Sequence, residues 1–286
     1  MNCNNIKNGG NKAFNKIFFQ IVIIVLFLYG GLIDAKPPVV QIFTKQPQQG
    51  SMVVGRILVD GDIFLAEKPL SLSETGEFVF GVGREENSSV VLKVHSNNEV
   101  IDFPIAIKKR EWKIEKINGL DKNKVNPKSK QTLKRIKSET IKVKQARNIF
   151  SEQMAFLMPF VSPAKGRISG VYGSQRILNG EKKRPHYGLD IANKVGTTVI
   201  SPADGIVTFA EKDLFYSGGT IIIDHGFGIN TTYIHLEKLK VKVGQKIIQG
   251  EKIATMGSTG RATGPHLDWR LNWFSTRLDP QLLLGD

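Results

Sequence analysis

Residues 194–210 read KVGTTVISPADGIVTFA, and residues 242–257 read KVGQKIIQGEKIATMG. Each opens on Lys-Val-Gly, passes two residues, enters an apolar run, turns, and enters a second run. Internal similarity of this kind marks a repeated supersecondary unit. β-Branched residues between glycine-bearing turns predict strands rather than helices. We read the two segments as related β-hairpins in one antiparallel sheet or barrel-like sandwich. That unit is expected to occupy residues 158–286.

Upstream of it the composition changes. Residues 108–147 hold fifteen Lys or Arg against four Asp or Glu, so most of the formal charge of +14 lies in this segment. After Asn126-Pro127, Leu133, Ile136, Thr140, Val143 and Arg147 fall at helical spacing, and Ile141, Ala146 and Phe150 widen the stripe. The spacing predicts a basic amphipathic helix over about 128–157, inside a linker assigned to 118–157. Such a helix is either a solvated connector or a contact surface for anionic polymer or lipid headgroups. Before it, residues 37–117 carry short alternating runs, among them SMVVGRILVDG, EFVFGVGR, SSVVLKVHSNNEV and IDFPIAIKKREW. These predict a small β-sandwich. It holds no chemical constellation, and His95 reads as an ordinary strand histidine. The chain as a whole is therefore expected to be mainly β.

At the N-terminus, Lys7, Lys12 and Lys16 precede an apolar run from Ile17 to Ile33. The run is short for a membrane span and suits a secretory leader, with Ile-Asp-Ala at 33–35 as an imperfect small-residue cleavage site. Residues 1–35 are thus expected to be a signal peptide or, if uncleaved, an anchor; only in that case is the membrane a partner. Export makes nucleic acid an unsuitable partner for the basic charge and turns it toward acidic envelope polymers. The one cysteine, Cys3, precedes the run. The exported part can form no internal disulfide, and any metal it binds must use histidine and carboxylate.

Four of the five histidines lie between 186 and 266. RPHYGLDIAN sets His186 and Asp190 four apart. Pro185 and Gly188 argue against a helix there, and a straight strand would separate the two Cα atoms by about 13 Å. A bend at Gly188 would bring them together. His225, in IIIDHGFG, reads as a turn residue. His235, in INTTYIHLEKL, suits either a strand or a site. In TGPHLDWRLNW, His266 and Asp268 are two apart, which on a strand places both on one face. Three protein ligands with an open fourth position is the pattern of a catalytic zinc.

Across 159–282 the sequence resembles peptidase family M23, the LytM or lysostaphin-type zinc endopeptidases that cut peptide cross-bridges of peptidoglycan. The resemblance rests on PFVSPAKGRISGVYGSQRI, PHYGLDIA, GGTIIIDHGFGINTTYIHL, the two Val-Gly segments, TGPHLDWRL and LDP. It implies one zinc ion held by His186 and Asp190 (the H-x-x-x-D motif) and by Asp268, with His235 and His266 as catalytic residues. At Asp268 the sequence departs from the family, whose late H-x-H motif supplies a histidine there. Two carboxylates nearly neutralise a zinc ion and should acidify its water less. On that ground Asp268→His is expected to keep or raise activity and to lower its pH optimum.

The resemblance further implies an exported enzyme of the periplasm or cell envelope acting on peptidoglycan. GEFVFGVGREENSSVVLKV is similar to the strand pattern of the N-terminal β domain that many exported members carry. The alternative is a degenerate domain that binds cell wall or regulates a partner hydrolase of the envelope without cutting. A biotinyl or lipoyl carrier is not supported: the turns PADG and QGEK lack a Met-Lys-Met or Asp-Lys-Ala signature.

Overall fold

The computed structural model describes residues 37–117, 129–178 and 180–284. The leader expected over 1–35 and linker residues 118–128 lie outside the described residues. Val39–Asp286 cluster as one compact unit. Its first part is two antiparallel sheets. One joins β1 (Val40–Ile42), β2 (Met52–Ile57) and a later strand, β5 (Glu77–Gly81). The other runs in the order β4 (Lys68–Pro69), β3 (Asp62–Leu65), β6 (Ser89–Ser96), β7 (Glu99–Ala106). Val53, Phe78 and Phe80 from the first meet Ile63, Leu92 and Val94 from the second in one apolar core. The alternating runs therefore close as a sandwich, as the pattern predicted.

β8 (Ile114–Ile117) then leaves this part and pairs in parallel with β10 (Gln175–Leu178), whose other edge carries β11 (Glu181–Lys182). α1 (Lys130–Arg147) follows. It is shorter than the helix predicted over 128–157 and ends at Asn148, whose N–H donates to the carbonyls of Lys144 and Gln145. Its apolar stripe is also weaker than expected. Ala146 is buried and Val143 packs beside Phe209, Leu214 and Ile222, but Leu133 and Ile141 stay about half exposed at 49% each. Only the apolar contact of the helix is confined to the last turns; nearer its start it meets the strand Gly205–Leu214 through a polar pair, Arg135 with Asp213 at 3.0 Å.

The C-terminal part is a ten-stranded sheet with the path β17-β14-β15-β16-β19-β12-β9. The strands are β9 (Arg167–Gly170), β12 (Leu189–Ala192), β14 (Gly205–Leu214), β15 (Gly218–Asp224), β16 (Ile229–Leu239), β17 (Lys246–Ile247) and β19 (His266–Trp273). β13 (Thr198–Ile200), β18 (Lys252–Met256) and β20 (Thr276–Leu278) join it off that path. The two similar segments are not hairpins. Each segment's first strand pairs with the other's second, β13 with β18 and β17 with β14. Both start on the same turn: Gly196 and Gly244 have φ of 88° and 85°, and the next residue's N–H returns to the lysine carbonyl two before the glycine. The repeat was thus visible in the sequence, but the pairing is an exchange between copies, which alternation alone does not reveal.

Strand alternation gives the central strands two faces. On one, Leu189, Ile191, Tyr233, Leu267 and Trp269 pack with Val199, Ile221, Ile253 and Met256 into the main core. On the other stand Asp190, Asp268, Thr232, Arg270, Asn230 and Asn272, matched across the strands as Asp190–Asp268, Thr232–Arg270 and Asn230–Asn272. Apolar packing of Val54 and Val79 against Leu271 and Leu278 ties the sandwich to this sheet. Polar contacts reinforce it. Arg110 pairs with Asp279 at 2.7 Å, and Arg84 donates from Nε and Nη2 to the carbonyl of Gly173 at 3.0 and 2.9 Å. Trp112 lies under both guanidiniums, at 4.8 and 4.7 Å.

Candidate metal centre

Asp190 and Asp268 are register partners on neighbouring strands, so the sheet itself sets them side by side. His186 arrives differently. It precedes β12 in a non-strand stretch that is fastened to residues 173 and 174: its N–H donates to the Ser174 carbonyl, and the Gly173 N–H donates to its own carbonyl, both at 2.8 Å. Because the chain is not extended here, the four-residue spacing closes, and His186 Nε2 comes to 3.1 Å from Asp190 Oδ1. One donor atom each from His186, Asp190 and Asp268 lies within 4.8 Å of the others. His186 Nε2 and Asp190 Oδ1 are both buried, and neither makes a hydrogen bond. Buried polar atoms rarely lack a partner. Two of them aimed at one point, with a third carboxylate beside them, form a donor set that fits a zinc ion.

Two glycines make the space. A Cβ on Gly188 would lie 2.0 Å from Asp268 Oδ1, and one on Gly170 would lie 2.3 Å from Asp190 Oδ2. Gly188 is needed for this close approach; it is not among the residues of positive φ. Gly170 escaped the sequence reading, since its role depends on β9 lying against β12.

Asp268 is not held by the ligand cluster alone. Arg270 grips it as a fork, Nε to Oδ1 at 2.9 Å and Nη2 to Oδ2 at 2.5 Å. Burial pushes the Asp268 carboxyl up, and the Arg270 charge more than offsets this, leaving it below the usual carboxylate range. Burial likewise pushes His186 down, and the carboxylates of Asp190 and Asp268 more than offset it, so that its imidazole is raised. The fork changes the charge balance inferred from sequence. Arg270 cancels one of the two carboxylates, so the set of ligands plus Arg270 carries one net negative charge, like a site with two histidines and one aspartate. The signal was present in Asp-Trp-Arg, because residues 268 and 270 share a strand face.

His235 and His266 stand together, ring centroids 4.7 Å apart. His235 Nδ1 donates to the Thr259 carbonyl at 2.7 Å, and His266 Nδ1 donates to the Gly264 carbonyl at 2.8 Å. Each hydrogen bond fixes the tautomer and leaves Nε2 as the basic atom. Burial pushes the His235 imidazole down, which keeps it neutral. His235 also has φ of +64°, unusual for a residue with a side chain, at the point where β16 leaves β19 and takes β18 as its partner. Backbone strain of this kind gathers at functional sites.

The remaining histidines serve elsewhere. His225 is fully buried, donates from Nδ1 to the Asp204 carbonyl at 2.6 Å and accepts at Nε2 from Thr231 at 2.7 Å. His95 packs on Phe64 in the sandwich.

Residues 184–280 match the family model of peptidase family M23. Over those residues the chain is similar to an M23 peptidase domain. The Vibrio cholerae peptidoglycan DD-endopeptidase ShyA is 40% identical over 109 residues, 38% of this chain and 25% of that protein. An uncharacterized metalloprotease of Buchnera aphidicola is 35% identical over 136 residues, 47% of this chain and 35% of its own length. The matches thus span between a quarter and about a third of these curated relatives. The crystal structure of a Pseudomonas aeruginosa protein assigned to peptidase M23 superposes with a TM-score of 0.65 at 27% identity, covering 84% of this chain and 96% of that one. That likeness extends well beyond the residues of the family match.

Proposed function

We propose that this protein is a zinc-dependent endopeptidase that hydrolyses peptide cross-links or stem peptides of peptidoglycan. The observation that carries this reading is the convergence of His186, Asp190 and Asp268 donor atoms within 4.8 Å on the polar face of the M23 domain. Relatives named as peptidoglycan DD-endopeptidases support the substrate class. A zinc ion bound by these three residues would polarise the scissile carbonyl and acidify the attacking water. His235 and His266 would each offer an Nε2 atom to hold a proton taken from an attacking water and pass it to a leaving amine. Their positions also suit stabilising the developing oxyanion once protonated. Arg270 grips Asp268 and offsets the negative charge that a carboxylate adds where a histidine ligand would be neutral.

The same reading takes 1–35 as an export leader, 37–117 as a β-sandwich domain, 118–157 as a linker and 158–286 as the peptidase domain in the cell envelope. No helix among the described residues is long and apolar enough to cross a membrane. A second reading draws on the fork: both Asp268 oxygens already accept from Arg270, which favours a non-catalytic domain that binds cell wall or regulates a partner hydrolase. Chelated protein should take up one zinc per chain, and the zinc-loaded form should release new amino termini from purified peptidoglycan, an activity lost in His266→Ala. Full zinc uptake with no new amino termini would select the second reading.

A further inference from the structure

Beyond the metal ligands, the polar face of the M23 domain carries a concentration of arginine. Arg270 follows Asp268 on β19. Arg277, from β20, donates through Nη1 to Asn272 at 3.0 Å. Arg147, the last residue of α1, donates from Nη2 to Thr232 at 3.3 Å, while its carbonyl accepts from Asn230 at 3.2 Å. Arg184, just before His186, stacks on Tyr187 with its guanidinium 5.5 Å from the ring. Thr232, Asn230 and Asn272 are themselves fully buried, so these side chains form a layer over the sheet.

The layer lacks counter-charge. Asp268 is committed to Arg270, and among the described residues no carboxylate pairs with Arg147, Arg184 or Arg277. Arg147 Nε is buried without any hydrogen-bond partner. Burial first, and then the charges of Arg270 and Arg184, bring Arg277 down to about 10. Like charges brought together in a partly desolvated layer repel, and a buried guanidinium normally finds a carboxylate or phosphate for its fork. A fold that keeps three unpaired arginines here is built to receive an anion from outside. Along β19, residues 270 to 272 lie about 7 to 14 Å from Asp268 at strand rise. An extended peptide with its scissile bond at the metal ligands would place a carboxylate two to four residues away within their reach.

We propose that Arg147, Arg184 and Arg277 form a carboxylate-binding subsite that recognises a free carboxyl group of the stem peptide. The inference rests on the peptidoglycan reading, and its ligand class is a peptide carboxylate. On a stem peptide three groups qualify, the α-carboxylate of the γ-linked D-glutamate, the free carboxylate of diaminopimelate and the terminal D-alanine carboxylate. Arg277 and Arg147 would take the carboxylate as forks, and Arg184, the most exposed of the three, would close over it from the Tyr187 side.

The test is direct binding, independent of catalysis. The full zinc-loaded chain is titrated calorimetrically with L-Ala-γ-D-Glu-diaminopimelate-D-Ala and with three analogues, amidated singly at the D-glutamate α-carboxyl, the diaminopimelate carboxyl or the D-alanine terminus. The parent should bind the free tetrapeptide at least about tenfold tighter than one of the three amides, as expected for a charge-assisted pair. Which amide weakens binding names the source of the carboxylate. Arg277→Gln and Arg147→Gln should reduce that preference to within about twofold, Arg277→Lys should restore part of it, and binding of the weaker amide should stay unchanged. Equal binding of all four peptides by the parent, or no binding of any, overturns the subsite. Should Arg147→Gln fail to fold, the parent's preference and the Arg277 variants still decide. Release of amino termini from cross-linked muropeptides is measured separately. Cleavage without carboxylate preference sinks the subsite alone, whereas carboxylate preference without cleavage sinks the peptidase reading and leaves the subsite standing.

Discussion

The two faces of β16 and β19 use the same backbone for opposite ends. Leu267, Trp269, Leu271, Ile229 and Tyr233 face the core and are fully buried among apolar neighbours. Asp268, Arg270, Asn272, Asn230 and Thr232 sit between them in sequence and are mostly as deeply buried, yet every one is polar. Burial on the first face stabilises the sheet. Burial on the second is unfavourable unless each group is partnered, and it is retained where chemistry needs a dry, fixed site. A shift of one residue in register would exchange the two faces, so the apolar set also holds the candidate ligands in place.

Truncating the apolar face should have the largest effect. Trp269→Ala is expected to lower unfolding free energy by about 3–5 kcal/mol, measured by urea denaturation, and to weaken zinc binding only as a consequence of unfolding. A folded Trp269→Ala protein with lost zinc affinity would mean that the two faces are not separable in this way.

The polar face sharpens the comparison through Arg270. From sequence, Asp268→His should preserve the site; the structure changes that expectation. Histidine there leaves Arg270 buried without its carboxylate, and breaking one partner of a buried pair is expected to destabilise by about 3 kcal/mol. The double variant Asp268→His/Arg270→Gln should recover most of that loss and, because its net charge equals that of the parent ligands plus Arg270, regain activity with the pH optimum little changed. Thermal melts and muropeptide cleavage of the two variants check this, and a single variant as stable as the parent would contradict the role given to the fork.

His225 separates a histidine that belongs to the fold from those of the site. Its burial pushes the imidazole down to about 4, against 6.5 in the unfolded chain. The unfolded state therefore binds the extra proton between these values, and stability is lost as pH falls from about 6.5 to about 4, by roughly 3 kcal/mol in all. His225→Gln should be less stable at neutral pH and should show a flatter decline across that window. An equally steep decline would assign it to other groups. At the bottom of the scale, Ile141→Gln on the exposed side of α1 should change stability by less than about 0.5 kcal/mol.

How much of this was legible in sequence follows from what each signal depends on. The mainly β character, the sandwich of 37–117 and the duplicated Val-Gly segments were visible because alternation and turn glycines act locally. The proximity of His186, Asp190 and Asp268 was anticipated from motif spacing and resemblance together. What remained hidden depends on tertiary placement. The exchange of strands between the two similar segments, the short buried stretch of α1, the clearance provided by Gly170, and the braces from Arg84 and Arg110 all require knowing which distant strands meet. Arg270 lies between these cases: alternation places it beside Asp268, but only the folded geometry shows that it grips both oxygens.

The proposed activity requires His186, Asp190 and Asp268 to share one cation. Metal content of the purified, chelated and zinc-reconstituted chain, read by native mass spectrometry, tests it most directly, with Asp190→Ala and Asp268→Ala alongside. One zinc per parent chain, with the ion lost from both folded variants, is the expected result. A folded parent that binds none, or an Asp268→Ala variant that retains zinc as tightly as the parent, would contradict it.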